Sequence, residues 1–271
     1  MTHADLTEAG DGVRAAIARP DRGAVGNAAI VDLGGETLVV DTHYSPAAAR
    51  ELRAAAGTPA FVLNTHWHAD HVLGNGEFAD ATIVSTTRTR ELIAAIGAER
   101  LAAQKQAFED EIPAEVERLR SAGDEEGASL LEAQAPELRS VTHRLPDETF
   151  DESRDFGRAR ALTFGGGHTE SDAFVHVPDA GVLVAGDLVV VEMQPWAGHG
   201  NPRAWAAILD RLLELEWDSC VPGHGPVCAR EVLPPLRDYL LALDDGGELP
   251  ERSRDWGQPE MWERNLEALR G

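Results

Sequence analysis

Four side chains able to bind a metal ion fall within six residues: His66, His68, Asp70 and His71, in the stretch Asn64-Thr65-His66-Trp67-His68-Ala69-Asp70-His71. Imidazole nitrogens with carboxylate oxygens suit zinc, and the same donors accept iron or manganese. Extended backbone points alternate side chains the same way, so His66 and His68 can grip one ion together. Asp70 and His71 follow where the chain must turn, and there they can face a second ion. Two ions require more ligands. Gly165-Gly166-Gly167-His168, Ala185-Gly186-Asp187 and Pro222-Gly223-His224-Gly225 could supply them. Each lies at the end of a strand-like run, with glycines that let backbone approach the site. Paired ions about 3.5–4 Å apart can share a hydroxide near neutral pH, because zinc lowers the pKa of bound water from 15.7 to around 7. That hydroxide would attack a carbonyl or phosphoryl centre while a metal stabilises the oxyanion. Asp70 is the candidate catalytic residue, orienting the nucleophile and relaying its proton.

The elements needed to position these ligands are readable. Phe61-Val62-Leu63 reads as a buried strand leading into the first cluster. Residues 28–33 and 37–40 form a hairpin signal around Gly34-Gly35, and 1–24 read as a polar lead-in. Ser45 as N-cap, Pro46 at the first helical position and Gly57 beyond the end delimit a helix. Another strand is expected at 81–85. From 87 to 139, Ala, Glu, Arg and Leu predominate, predicting two or three inserted helices. Pro113 restarts one, and Gly123-Asp124 separates two. This insertion is a candidate roof over the site or a candidate homodimer face. Strands are expected at 141–145, 159–164, 173–177, 182–185 and near Cys220-Val221, with helices over 202–215, 232–243 and 259–269. Alternating strands and helices imply a mixed α/β class, one domain over 1–271 with the insertion at 87–139.

Composition narrows the partners. The 47 acidic residues against 24 basic ones give a formal charge of −23. That argues against nucleic acid or an anionic membrane and leaves a small-molecule substrate. No signal-peptide core or membrane-length apolar run occurs, so a cytoplasmic location is expected. Cys220 and Cys228 flank His224; soft-ligand roles are conceivable, but packing near a strand end is the plainer reading.

The order His-x-His-x-Asp-His, then His, Asp and a last His, resembles the metallo-β-lactamase superfamily over roughly 25–230. The resemblance implies a four-layer αβ/βα sandwich with metals at one edge. It implies that His66, His68 and His168 hold one ion, Asp70, His71 and His224 the other, and that Asp187 bridges them. Superfamily β-lactamases usually carry Cys or Ser near the place of Asp187, so an ester, thioester, lactone or phosphoester is favoured over a β-lactam. Thr65 to Asn75 resembles glyoxalase II relatives, although the tail after His224 is short and acidic. The quorum-signal lactonases' Tyr has no counterpart at Leu188, Val189 or Val190, and a basic exosite of ribonuclease type is not suggested by the charge. The residues at 191–201, with Met193, Gln194, Pro195, Trp196 and His199, form the candidate substrate wall, joined by Trp67. His3, His43, His143 and His176 match no part of the pattern, and His176 reads as structural. Two rival readings are a mononuclear iron dioxygenase similar to persulfide dioxygenases and a non-catalytic scaffold.

Overall fold

Along the central strands, apolar residues follow one another without polar alternation, which demands burial on both faces. In the computed structural model, which describes residues 1–96 and 98–270, two sheets meet that demand. The first contains β1 (Ala4–Gly10), β2 (Val13–Ala18), β3 (Ala28–Asp32), β4 (Thr37–Val40), β5 (Phe61–Leu63), β6 (Thr82–Thr86) and β7 (Glu148–Phe150), in that spatial order. The second contains β8 (Ser153–Phe156), β9 (Ala159–Gly165), β10 (Asp172–Val177), β11 (Val182–Val190) and β12 (Ser219–His224), ordered from β12 back to β8. Pairing is antiparallel from β1 to β4, parallel from β4 to β7, and parallel again between β11 and β12.

Leu38, Val40, Leu63 and Val84 of the first sheet meet Ala173, Val175, Val182 and Val184 of the second in a shared core. Their neighbours Val39, Val62 and Ile83 turn outward beneath Ala49 and Leu52 of α1 (Pro46–Ala56). On the opposite face Phe174 and Leu183 pack under α6 (Pro202–Leu212), α7 (Leu233–Asp244) and α8 (Met261–Arg270). The result is the four-layer αβ/βα sandwich expected from the sequence. Helix α1 begins as its residues dictate: Ser45 Oγ accepts from the Ala48 amide at 3.2 Å, and Pro46 occupies the first turn. A single turn, α2 (Ala69–Val72), follows β5. Between β6 and β7 stand α3 (Thr87–Ala95), α4 (Ala98–Ser121) and α5 (Glu125–Ser140).

Three expectations are corrected. The polar lead-in is instead β1 and β2, an antiparallel pair whose edge strand exposes Asp5 to Glu8 and so lacks an apolar signature. Pro113 lies within α4 and starts no new helix, because Ile112, Val116 and Leu119 hold one continuous apolar ridge against Leu131 of α5. Residues 141–145 form no strand: Val141 and Leu145 are drawn into the apolar clusters of the insertion, and pairing with β6 begins at Glu148. No helix among the described residues is long and apolar enough to cross a membrane.

Candidate metal centre

The stretch after β5 is fixed from behind by a carboxylate at the end of β4. Asp41, held at φ 61°, accepts the Thr65 amide on Oδ1 at 2.8 Å. Its Oδ2 accepts the Thr65 hydroxyl at 2.7 Å and the Nδ1–H of His71 at 2.8 Å. Thr65 Oγ1 lies 3.0 Å from His66 Nδ1 and accepts from it. Both histidines are thereby set with Nδ1 protonated and Nε2 bare, the tautomer a metal requires. His66 Nε2 and His71 Nε2 are buried with no hydrogen-bond partner, and so is Asp187 Oδ1. Buried polar atoms left this way cost about 1–3 kcal/mol each unless something else satisfies them.

The other ligands arrive from the second sheet. Asp172 gathers the turn before β10, accepting from the amides of Gly167 at 2.8 Å and Thr169 at 3.1 Å, and so aims His168. Asp187 lies within β11 behind Gly186, and Gly223 is obligatory opposite it: a β-carbon there would stand 1.8 Å from Asp187 Oδ1. Asn27 clamps the His224 loop, donating to the carbonyls of Pro222 at 2.9 Å and Gly225 at 2.8 Å.

Two groups of ligand atoms result, His66, His68, His168 with Asp187, and Asp70, His71 with His224, each with its ligand atoms within 4.8 Å of one another. His68 Nδ1 and His168 Nε2 lie 2.9 Å apart, and Asp187 Oδ2 is 3.2 Å from His168 Nε2 and 3.8 Å from His66 Nε2. Asp187 also reaches the other group, 3.1 Å from His71 Nε2 and 3.4 Å from His224 Nε2, while Asp70 Oδ2 is 3.2 Å from His224 Nε2. Ligands roughly 2.0–2.1 Å from a tetrahedral zinc stand about 3.3 Å from one another, so the residues present fit the ion.

Electrostatics agree. Burial pushes His66 and His68 well below the ordinary imidazole value. Burial opposes charge on His224 too, yet Asp187 and Asp70 lift it to about 10, and the carboxylates around His71 raise it likewise. Against burial, the neighbouring histidines hold Asp70 and Asp187 well below the usual carboxylate range. The cage therefore concentrates negative charge that protons or cations must balance.

The family profile described as the metallo-beta-lactamase superfamily matches residues 21–224. The chain belongs to this superfamily. A hydroxyacylglutathione hydrolase from Erythrobacter litoralis (strain HTCC2594) is 26% identical over 182 residues, 67% of this chain and 54% of that protein. The chain thus spans about half the length of that relative. A metallo-beta-lactamase from Hirschia baltica superposes with TM-score 0.63 at 16% identity, covering 87% of this chain and 96% of that one. FIM-1 from Pseudomonas aeruginosa, in a mono-zinc form, gives TM-score 0.63 at 15% identity over 89% and 96%. The seven candidate ligands all fall within the span from the first cluster to His224 that the family profile covers.

The remaining residues singled out by sequence divide. Gln194, Trp196 and His199 line the cleft of ≈ 550 Å³ above the ligands, with Asp70 and His224 in its floor. His199 Nδ1 lies 2.9 Å from the outer nitrogen of His68 and accepts from Trp196 Nε1 at 3.2 Å, so it backs a ligand as well as lining the cleft. Trp67 is 4% exposed, donates to Glu170 at 3.3 Å and packs on Val72 and Ile93, supporting the ligand loop from behind. Cys220 and Cys228 form a backbone bridge outside both ligand groups. Asp41 and Asn27 were not foreseen, although Leu38-Val39-Val40-Asp41 repeats the apolar-run-then-carboxylate pattern that marked Asp187.

Proposed function

We propose that the protein is a metal-dependent hydrolase acting on a small ester, thioester, lactone or phosphoester with two divalent cations, zinc foremost. The observation that supports this most is Asp187, whose two oxygens reach the ligand groups on both sides, 3.1 Å from His71 and 3.2 Å from His168. When bound, two such ions would ionise a water near neutral pH and polarise the scissile centre. The chain's own residues do the rest. Asp70, whose side chain is 22% exposed, faces the cleft beside His224 and is placed to orient the attacking water and pass its proton to the leaving group. Asp41 and Thr65 hold the imidazoles still while charge develops. Trp196 and Gln194 wall the cleft and limit what enters.

Metal analysis of the purified protein, followed by turnover of thioester, lactone, phosphodiester and cephalosporin panels, tests the reading. Two equivalents of zinc with hydrolysis of an ester, lactone or phosphodiester supports it. A single iron with oxygen uptake would replace it with the dioxygenase chemistry, and cephalosporin turnover alone would replace the substrate class.

A further inference from the structure

The cleft does not end at the metal ligands. Its outer wall, formed by Pro20, Val25 and Glu111, is also the wall of a second groove of ≈ 490 Å³ lined by Phe108, Ile112 and Leu131 of the helical insertion. Tyr44 stiffens the passage, stacking on Phe108 with ring centroids 4.2 Å apart and donating to the Gln104 carbonyl at 3.3 Å. Gln104 belongs to the cleft lining, so one helix, α4, serves both spaces.

Resting on the hydrolase reading above, we propose that the substrate carries an uncharged apolar arm that leaves the metal cleft past Glu111 and lies in this groove. The physical ground is continuity. An alkyl or aryl group attached to a carbonyl over Asp70 and His224 meets apolar side chains on the insertion side, and each buried methylene should strengthen binding about fourfold. Arg118, also in the groove lining, is tied to Glu115 at 2.7 Å, so with Glu111 at the shared wall the groove is acidic on balance and opposes an arm ending in a carboxylate, which separates this site from one built for glutathione conjugates.

The test has two arms. In the first, the metal-loaded protein is given 4-nitrophenyl esters from acetate to decanoate, together with the 4-nitrophenyl hemiester of decanedioic acid. The expected kcat/KM rises about fourfold per methylene over at least three steps, with the hemiester at least about tenfold poorer than the decanoate. Ala114→Trp, which fills the groove from an exposed position of α4, flattens the series; Ala114→Leu does so partly. In the second, the metal-free protein binds the uncharged fluorophore N-phenyl-1-naphthylamine, methyl decanoate displaces it, and Ala114→Trp weakens its binding at least tenfold. A flat series in the unaltered protein, an unchanged series in Ala114→Trp, or fluorophore binding indifferent to that substitution overturns the groove assignment. A hemiester equal to the decanoate overturns its uncharged character. If none of these esters is turned over, simple esters leave the proposed substrate set, and the fluorophore arm still decides the groove.

Discussion

His71, buried behind the cleft floor, and Glu111, on the cleft's outer wall, are held by opposite means. His71 is fully buried, its Nδ1 tied to Asp41 at 2.8 Å and its Nε2 surrounded by carboxylates. Glu111 stands exposed on α4, a helix anchored by the burial of Ile112 and Val116 in the insertion's core. One wall is a buried polar network in which each group depends on the next; the other is an apolar ridge with charges along its surface. In the first, a single lost atom exposes an unsatisfied neighbour. In the second, a lost contact is spread over many. The proposed hydrolysis would therefore belong to the wall that tolerates little change, and the proposed selectivity to the wall that tolerates more.

The sharpest break in this contrast is Asp187→Ala. It removes the carboxylate that touches both ligand groups, so the protein should lose at least one equivalent of metal and at least about a hundredfold in turnover. Metal content measured beside kcat decides the matter; full occupancy with full activity would mean that Asp187 joins nothing.

Asp41→Asn follows. The shape is kept, but an amide cannot accept three donors across both of its heavy atoms, so either His71 or Thr65 loses its anchor. Metal affinity should fall about 10–100-fold with the seven ligands intact. Competition with a chromophoric chelator measures it, and an unchanged constant would show that the imidazoles are oriented by packing alone.

These two residues also show what the sequence makes visible. His66, His68, Asp70 and His71 announce themselves because four donors in six residues have no structural reason to coincide. Asp41 has the same importance but stands alone, with partners 24 and 30 residues away in Thr65 and His71, and only folding brings them together. The sandwich was legible wherever strands are buried on both faces, as in β4, β5 and β11. It was illegible at β1 and β2, where alanine and charge mask an edge, and at 141–145, whose apolar residues belong to the insertion's core. The side groove left no pattern at all, since Val25, Phe108 and Leu131 come from separate segments and meet only through helix packing.

A smaller effect belongs to His43, a buried neutral imidazole behind the cage whose Nδ1–H donates to the Gly26 carbonyl at 2.7 Å. Burial lowers it from 6.5 to about 4. The unfolded chain takes up a proton below about pH 6.5 while the folded one resists until about 4. The contribution of His43 is therefore complete above pH 6.5 and disappears as pH falls through that window, about 3 kcal/mol in all. His43→Gln should flatten the decline in urea midpoint between pH 7 and pH 4, measured with chelator in both samples so that metal loss plays no part. A decline as steep as in the unaltered protein would assign the acid sensitivity to other groups.

The least effect is expected where the insertion meets the sandwich by charge. Arg50 of α1 reaches Glu137 of α5 at 2.8 and 3.0 Å and Glu77 at 3.5 Å, with side chains 48% and 41% exposed for the main pair. Solvent screens such a pair, and ordering two long side chains offsets much of what remains, so Arg50→Ala should cost no more than about 1 kcal/mol. For a chain of this size that is a fall in Tm of roughly 2–4 °C or less. The burial of Tyr44, Ile112, Leu131 and Leu138 in one cluster should hold the insertion without it. A loss above about 2 kcal/mol would mean that ion pairs, and not apolar packing, dock the insertion. The selective wall would then depend on specific partners as the metal cage does, and would loosen with added salt.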